Sequence, residues 1–274
     1  MRHECIVSRM LILQLERFGR LSSEEKLALS GAGLRPRRLA QRLELPRDEE
    51  RSDMANVLLA GFACRYAVLP SGRRQILSYL LPGDFCDRFT TELFFSDHSV
   101  ATLSAVKIGS YAREELTSLG RRFPRIARAL GLTIASEQAT LRQWLLSVGH
   151  RSALERTAHL LCELFTRLRA LGLSHEGLCN IPLRQTDLAD ALAISAVHLN
   201  RTLTELRRHG LATFLHHELI IHDLRGLQAL AGFQPHYLFA GNPPPEPVRG
   251  HATIVLQGLE SSAPMSAPAE PWHP

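Results

Sequence analysis

TDLADALAISAVHLNRTLTELRRHGL, residues 186–211, changes rhythm twice. With Gln185 added, QTDLADALA has the spacing of a short helix. Ile194-Ser195 break that run as a tight turn. AVHLNRTLTELRRHG, residues 196–210, then resumes as a longer helix, and Gly210 is a natural C-terminal stop. Next come LATFL, a polar tip HHE, and LIIHD, which together read as a small hairpin. Helix, turn, helix and hairpin in this order predict a winged helix-turn-helix, whose second helix enters the DNA major groove.

The start of that second helix supports the reading. Ser195 sits where an N-cap belongs, with a hydroxyl able to accept a hydrogen bond from an unpaired backbone amide. The helix N-terminus carries partial positive charge, which suits a phosphate. His198 and Arg201 are three residues apart and Val197 and Arg201 four, so they share a face, with Asn200 at its edge. Leu199, Leu203 and Leu206 mark the opposite, core-facing side. An arginine bridges guanine O6 and N7, an asparagine pairs with adenine N6 and N7, and a valine touches a thymine methyl. The competing reading is a surface helix whose polar side meets only water.

Outward from this segment, residues 10–32 read as one helix, with Ser22 and Glu25 at capping-box spacing. From about residue 34 to 112 the pattern turns to short β-prone runs. NVLLAGFACRYAVLP, RRQILSYLL and SVATLSAVKIGSYA are separated by turn signals such as PSG and Pro82-Gly83-Asp84. Several short strands of this kind predict a β-sandwich or β-roll. Residues 123–148 return to helical periodicity. Ala127, Leu130, Ile134, Glu137, Leu141, Trp144 and Val148 alternate spacings of three and four, a heptad-like stripe interrupted by a charge. Such a stripe fits a helix packed on its own domain or a dimer seam. Ser152 and Glu155 form a second capping-box pair that opens another helix, with Leu154, Ala158, Leu161, Leu164, Phe165 and Leu168 on its apolar face; LSHEGLCNIP is a loop. Residues 240–274 are rich in Pro, Ser, Ala and Gly and are expected to lack a stable fold. The expected organisation is therefore α+β: a β-roll over 1–121, a long helix over 122–149, a winged helix-turn-helix over 150–239, and a tail.

Composition narrows the classes. The chain has 274 residues, 45% hydrophobic, enough for two folded domains. No apolar run is long enough to cross a membrane and the N-terminus lacks a signal-peptide pattern, so the expected compartment is the cytoplasm, with no membrane partner. Net charge is +5 and pI about 9.2, which permits a nucleic-acid partner without requiring one. Lys26 and Lys107 are the only lysines. Cys5, Cys64, Cys86, Cys162 and Cys179 are odd in number and none stands at C-x-x-C spacing. A disulfide framework, zinc knuckle or cysteine-held iron–sulfur centre is not indicated. No cofactor and no metal are expected.

LPGDF after GRRQILSYL, the long helix, and the helix-turn-helix together resemble the Crp/Fnr family of bacterial transcription regulators, over about residues 10–238. The resemblance implies a cyclic-nucleotide-binding-type β-roll, a long dimerising helix and a winged helix that binds promoter DNA. On it, Leu130, Ile134, Leu141, Trp144 and Val148 become dimer contacts in a homodimer. Such a dimer reads an inverted repeat with half-sites about one helical turn apart. RNA polymerase is a further candidate partner.

The departures are informative. Cyclic-AMP-binding members resemble one another in a G-E-L segment followed by R-S/T-A, which hold the ribose and the cyclic phosphate. Here G-E-L falls on Asp87-Arg88-Phe89 and R-S-A on His98-Ser99-Val100. A neutral imidazole is a poorer phosphate partner than a bidentate guanidinium, so cyclic AMP is not the expected effector. Arg88, His98 and Ser99 remain the candidate effector positions, with Arg73 a further cation. Oxygen sensors of the family resemble one another in an N-terminal cysteine cluster; Cys5 alone lies there. The reading helix resembles S-R-E-T-V-G-R only at Ser195 and Arg201, with Ala196 and Val197 in place of the charged pair, so the target sequence should differ. Arg184 stands where many members carry a capping threonine and is a phosphate candidate.

Two other functions compete: a β-roll signalling module for another small molecule, and a metal-dependent enzyme using the 13 histidines, His209, His216 and His217 above all. H-E-x-x-H, G-x-S-x-G and P-loop motifs are lacking, so no catalytic activity is expected.

Overall fold

The structure is a computed structural model and describes residues 9–32, 35–45, 53–86 and 98–239. Arg88 and the 240–274 tail lie outside the described residues. The chain divides within its longest helix, between Ile134 and Ala135, into two compact units. The whole is α+β.

The first unit begins with α1 (Arg9–Glu16) and α2 (Ser23–Gly31). The sequence predicts one helix here, but the chain breaks at Gly19, whose φ of +146° no helix accepts, and Ser22 restarts it. The capping box is present: Glu25 N–H donates to the Ser22 hydroxyl at 3.2 Å, and Ser22 N–H to the Glu25 carboxylate at 2.6 Å.

Six strands follow: β1 (Arg35–Leu39), β2 (Met54–Ala60), β3 (Ala63–Val68), β4 (Arg74–Leu80), β5 (Ser99–Thr102) and β6 (Val106–Ala112). They form two antiparallel sheets, ordered β1-β6-β2 and β4-β3-β5. The run NVLLAGFACRYAV splits into β2 and β3 at Gly61. There φ is +84° and a Cβ would lie 2.2 Å from the Ala105 carbonyl oxygen, so only glycine allows the bend. Leu58, Ala63, Leu80, Val106 and Ile108 are wholly or almost wholly buried in one cluster, and Leu11, Leu15, Val57 and Tyr111 in another. The Pro82-Gly83-Asp84 turn docks on α1. Asp84 accepts from the Gln14 side chain and from Leu81 N–H, and both side chains are buried.

After α3 (Arg113–Arg122) comes α4 (Pro124–His150), a helix of 27 residues. The second unit continues with α5 (Ala153–Ala170), started by the Ser152–Glu155 capping box. The Ser152 bonds hold the Glu155 carboxyl below its usual range. Residues 157–166 of α5 are all buried, so this helix is enclosed on every side and its apolar stripe understates its burial. The unit is completed by β7 (Leu178–Asn180), α6 (Gln185–Leu192), α7 (Ala196–Arg208), β8 (Ala212–Leu215), β9 (Glu218–Ile221), α8 (Leu224–Ala231) and a 3₁₀ turn at Pro235–Leu238. The expected hairpin gains a third strand, giving the sheet β7-β9-β8. Three residues of the predicted loop LSHEGLCNIP were too few to show an alternating pattern.

Candidate nucleic-acid interface

Residues 184–221 assemble from local rules. Arg184 precedes α6, and its N–H donates to the buried Asp187 carboxylate at 2.9 Å. Asp187 thus supplies a side-chain partner at the start of α6, and the Arg184 side chain is exposed. The helix stops at Ala193, which adopts φ +52°, while Ile194 N–H reaches back to the Ala189 carbonyl at 3.1 Å. This left-handed stop redirects the chain through Ser195 into α7.

Ser195 caps α7 as expected, its hydroxyl accepting from His198 N–H at 3.2 Å. Leu199, Thr202, Leu203 and Leu206 are buried. Val197, His198, Asn200, Arg201 and Thr204 are exposed. Val197 shows 66% of its surface to solvent. The predicted residues thus lie together around the first two turns of α7. Asn200 has an unforeseen neighbour: its amide donates to the Gln185 side chain at 3.4 Å, linking the two helices. Spacing along α7 could not reveal this, because Gln185 comes from the preceding helix. Arg207 and Arg208 close α7 with the charge that its C-terminal dipole favours.

His216 and His217 form the two-residue hairpin tip, at φ +50° and +67°. These are the angles of a type I′ turn, usually made by Asn-Gly. His217 is tied down: its Nδ1 lies 3.0 Å from the Leu183 carbonyl oxygen, and its own carbonyl accepts from Ile181 N–H at 2.6 Å. A carbonyl only accepts, so Nδ1 carries the proton. The wing tip is thereby fastened to the segment leading into α6. Among the described residues no group of three His, Cys, Asp or Glu side chains is placed to hold a metal ion.

The long helix distributes its predicted contacts unevenly. Leu130 belongs to the core of the first unit, and Trp144 is 9% exposed, its indole N–H donating to the buried Glu163 carboxylate at 3.1 Å. Ile134 is half-buried. Leu141 and Val148 are exposed, as is Leu145, which the sequence reading left out. The outward stripe is Ile134, Gln138, Leu141, Leu145 and Val148: it shifts by one residue at alternate positions, because 144 faces inward and 145 outward. A heptad pattern alone does not separate two adjacent apolar residues.

Of the candidate effector positions, His98 is half-buried and Ser99 is buried in β5. Ser99 pairs in register with Tyr66 and hydrogen-bonds its side chain. Burial and then Glu44 push the Tyr66 phenol up to about 12. Burial likewise pushes the Cys162 and Cys179 thiols up to about 12, so they behave as core residues and not as nucleophiles.

A capped, exposed polar helix start, a helix packed behind it and a fastened wing define a winged helix-turn-helix DNA-binding protein. Residues 155–230 match the Crp-like helix-turn-helix domain family. The chain is 29% identical over 174 residues to the nitrogen fixation regulation protein FixK of Bradyrhizobium diazoefficiens, covering 64% of this chain and 72% of that protein. It is 28% identical over 187 residues to the transcriptional activatory protein AadR of Rhodopseudomonas palustris, covering 67% and 76%. In fold it is similar to FixK2 from Bradyrhizobium japonicum, with a TM-score of 0.60 at 21% identity over 72% of this chain and 96% of that one. Residues 155–230 thus carry a Crp-like helix-turn-helix domain, and the chain is similar to transcriptional regulators of the Crp/Fnr type. Among the described residues no helix is long and apolar enough to cross a membrane.

Proposed function

We propose that the chain works as a homodimer which lays α7 in the major groove of an inverted-repeat promoter site, and that it does not respond to cyclic AMP. The observation that carries the reading is the composition of one face of α7. Val197, His198 and Arg201 stand exposed beside a Ser195-capped helix N-terminus, while Leu199, Leu203 and Leu206 are buried behind them. That face offers an apolar contact, an imidazole and a guanidinium within two helical turns, a combination suited to base edges. Arg184 and the wing tip at His216, both exposed, are the backbone-phosphate contacts in this reading.

Homodimerisation rests on α4. Leu141, Leu145 and Val148, with 46%, 73% and 43% of their surfaces exposed, recur at spacings of four and three in line with Ile134 and Gln138. An exposed seam of this period is what a second copy of the helix covers. Indifference to cyclic AMP rests on His98, which stands where a guanidinium would hold the phosphate, and on Ser99, already buried and bonded to Tyr66.

The test is footprinting of the purified protein on DNA selected from a random library. The reading expects two protected half-sites related by two-fold symmetry, about one helical turn apart. A single unpaired half-site would overturn the dimer, and selection of no sequence would overturn DNA reading.

A further inference from the structure

Gln185 and Asn200 are 15 residues apart in sequence and meet across the helix-turn-helix, where the Asn200 amide donates to Gln185 Oε1 at 3.4 Å. Both ends are held. Gln185 is the first residue of α6, and the bond from Arg184 N–H to the buried Asp187 carboxylate fixes the backbone there. Asn200 lies one turn into α7, beyond the Ser195 cap and between buried Leu199 and exposed Arg201. The two helices pack on one another, with Leu188 and Leu192 of α6 and Leu199 and Leu203 of α7 buried. Gln185 is half-buried and Asn200 exposed, so their amides meet where that packing gives way to solvent.

One hydrogen bond leaves much of both amides unused. An amide offers two N–H groups and a carbonyl oxygen. Among the described residues neither side chain has a further partner, so Asn200 keeps Oδ1 and one N–H for another molecule. That pair is what the major-groove edge of adenine takes: Oδ1 accepts from N6–H, and the N–H donates to N7. An asparagine that turns freely also presents its groups in the reverse order, or singly, accepting from cytosine N4 or donating to guanine, and then separates the bases poorly. Gln185 Oε1 accepts only, so it holds the nitrogen side of the Asn200 amide towards α6 and the oxygen side away from it. The order in which acceptor and donor meet a base is thereby set before DNA arrives, and less side-chain freedom is lost on binding.

We propose that Gln185 is a positioning residue for base recognition: it orients Asn200 and so makes that residue selective for adenine. This rests on the reading of α7 as the helix that enters the groove. Gln185 itself touches no base. Its effect is confined to the one base pair that Asn200 meets. That separates it from the Ser195 cap and the buried leucines of α7, whose loss would disturb every contact of the helix.

The test compares the sequences selected from a random duplex library by the full chain, by Gln185→Ala, Asn200→Ala and Gln185→Glu, and by the double alanine variant, with circular dichroism confirming the fold of each. The expected result is an adenine at one position of the parent's site whose preference falls about three- to tenfold in Gln185→Ala. Asn200→Ala should lose preference at that same position, and the double variant should lose no more than Asn200→Ala. Other positions should be unchanged. Gln185→Glu keeps an oxygen acceptor of the same reach, so the adenine preference should be kept although the added charge weakens binding to every duplex. An adenine preference that survives Gln185→Ala, a loss shared by all positions, a different base at the Asn200 position, a greater loss of preference in the double variant than in Asn200→Ala, or no rescue by Gln185→Glu would each overturn the proposal and leave the DNA reading standing. Failure of the parent to select any sequence would overturn that reading and the proposal with it.

Discussion

The indole N–H of Trp144 donates to the Glu163 carboxylate at 3.1 Å, and the Tyr237 hydroxyl donates to the same oxygen at 2.9 Å. Glu163 has no exposed surface, so these donors substitute for water around a buried acid. The burial and Glu163 together raise the Tyr237 phenol well above its ordinary range, which keeps it a donor. Trp144 is therefore a structural anchor of the second unit. Trp144→Phe removes one donor with little loss of apolar contact. Urea unfolding should show a loss of about 1–3 kcal/mol. No loss would mean that the acid is neutral or solvated.

Leu145, the next residue, should behave oppositely. Leu145→Glu places a charge in the middle of the exposed seam without touching the chain's own core. Sedimentation should find a monomer of unchanged circular dichroism, against the dimer proposed for the parent. A dimer that survives Leu145→Glu would move the interface elsewhere.

His159 gives a pH dependence of known sign. Its folded pKa is pushed down to about 4 from 6.5, so between these values the unfolded chain binds a proton that the native one does not. Stability is fully present above pH 6.5 and falls as pH drops towards 4, by roughly 3 kcal/mol over the window. Comparing urea unfolding at pH 7.5 and 4.5 in the parent and in His159→Gln checks this. The variant should lose much of the pH dependence; an unchanged slope would assign it to other groups.

Gly83 tests the docking of the turn on α1. Its φ is +96°, and a Cβ there would lie 2.5 Å from the Met10 carbonyl oxygen and 2.7 Å from Gln14 Cβ. Gly83→Ala must move backbone as well as strain its own dihedral, and is expected to cost about 2 kcal/mol or more in denaturant unfolding. A neutral effect would show that α1 yields freely.

These positions also show how far residue patterns reach. The cap at Ser195, the buried leucines of α7 and the two capping boxes were legible because each is set within four residues of chain. The alternation of β4 and the turn at Pro82-Gly83 were legible for the same reason. What escaped involves partners distant in sequence. Gln185 with Asn200, Leu183 with His217 and Trp144 with Glu163 meet only after folding, and the inward turn of Trp144 is what displaced the predicted seam onto Leu145. The break at Gly19 was missed because apolar spacing on either side suits one helix, and only the dihedral reveals the stop.

The central claim is that the exposed start of α7 reads DNA, and Arg201 is its most direct probe. Affinity of the purified protein for the duplex upstream of its own gene is measured by mobility shift at fixed salt, against a shuffled duplex, for the parent and for Arg201→Ala. The account predicts specific binding by the parent and a loss of about 1–3 kcal/mol in Arg201→Ala, with binding to the shuffled duplex changed far less. Equal loss on both duplexes would reduce Arg201 to a phosphate contact, and unchanged specific binding by Arg201→Ala would contradict the placement of this helix in the groove.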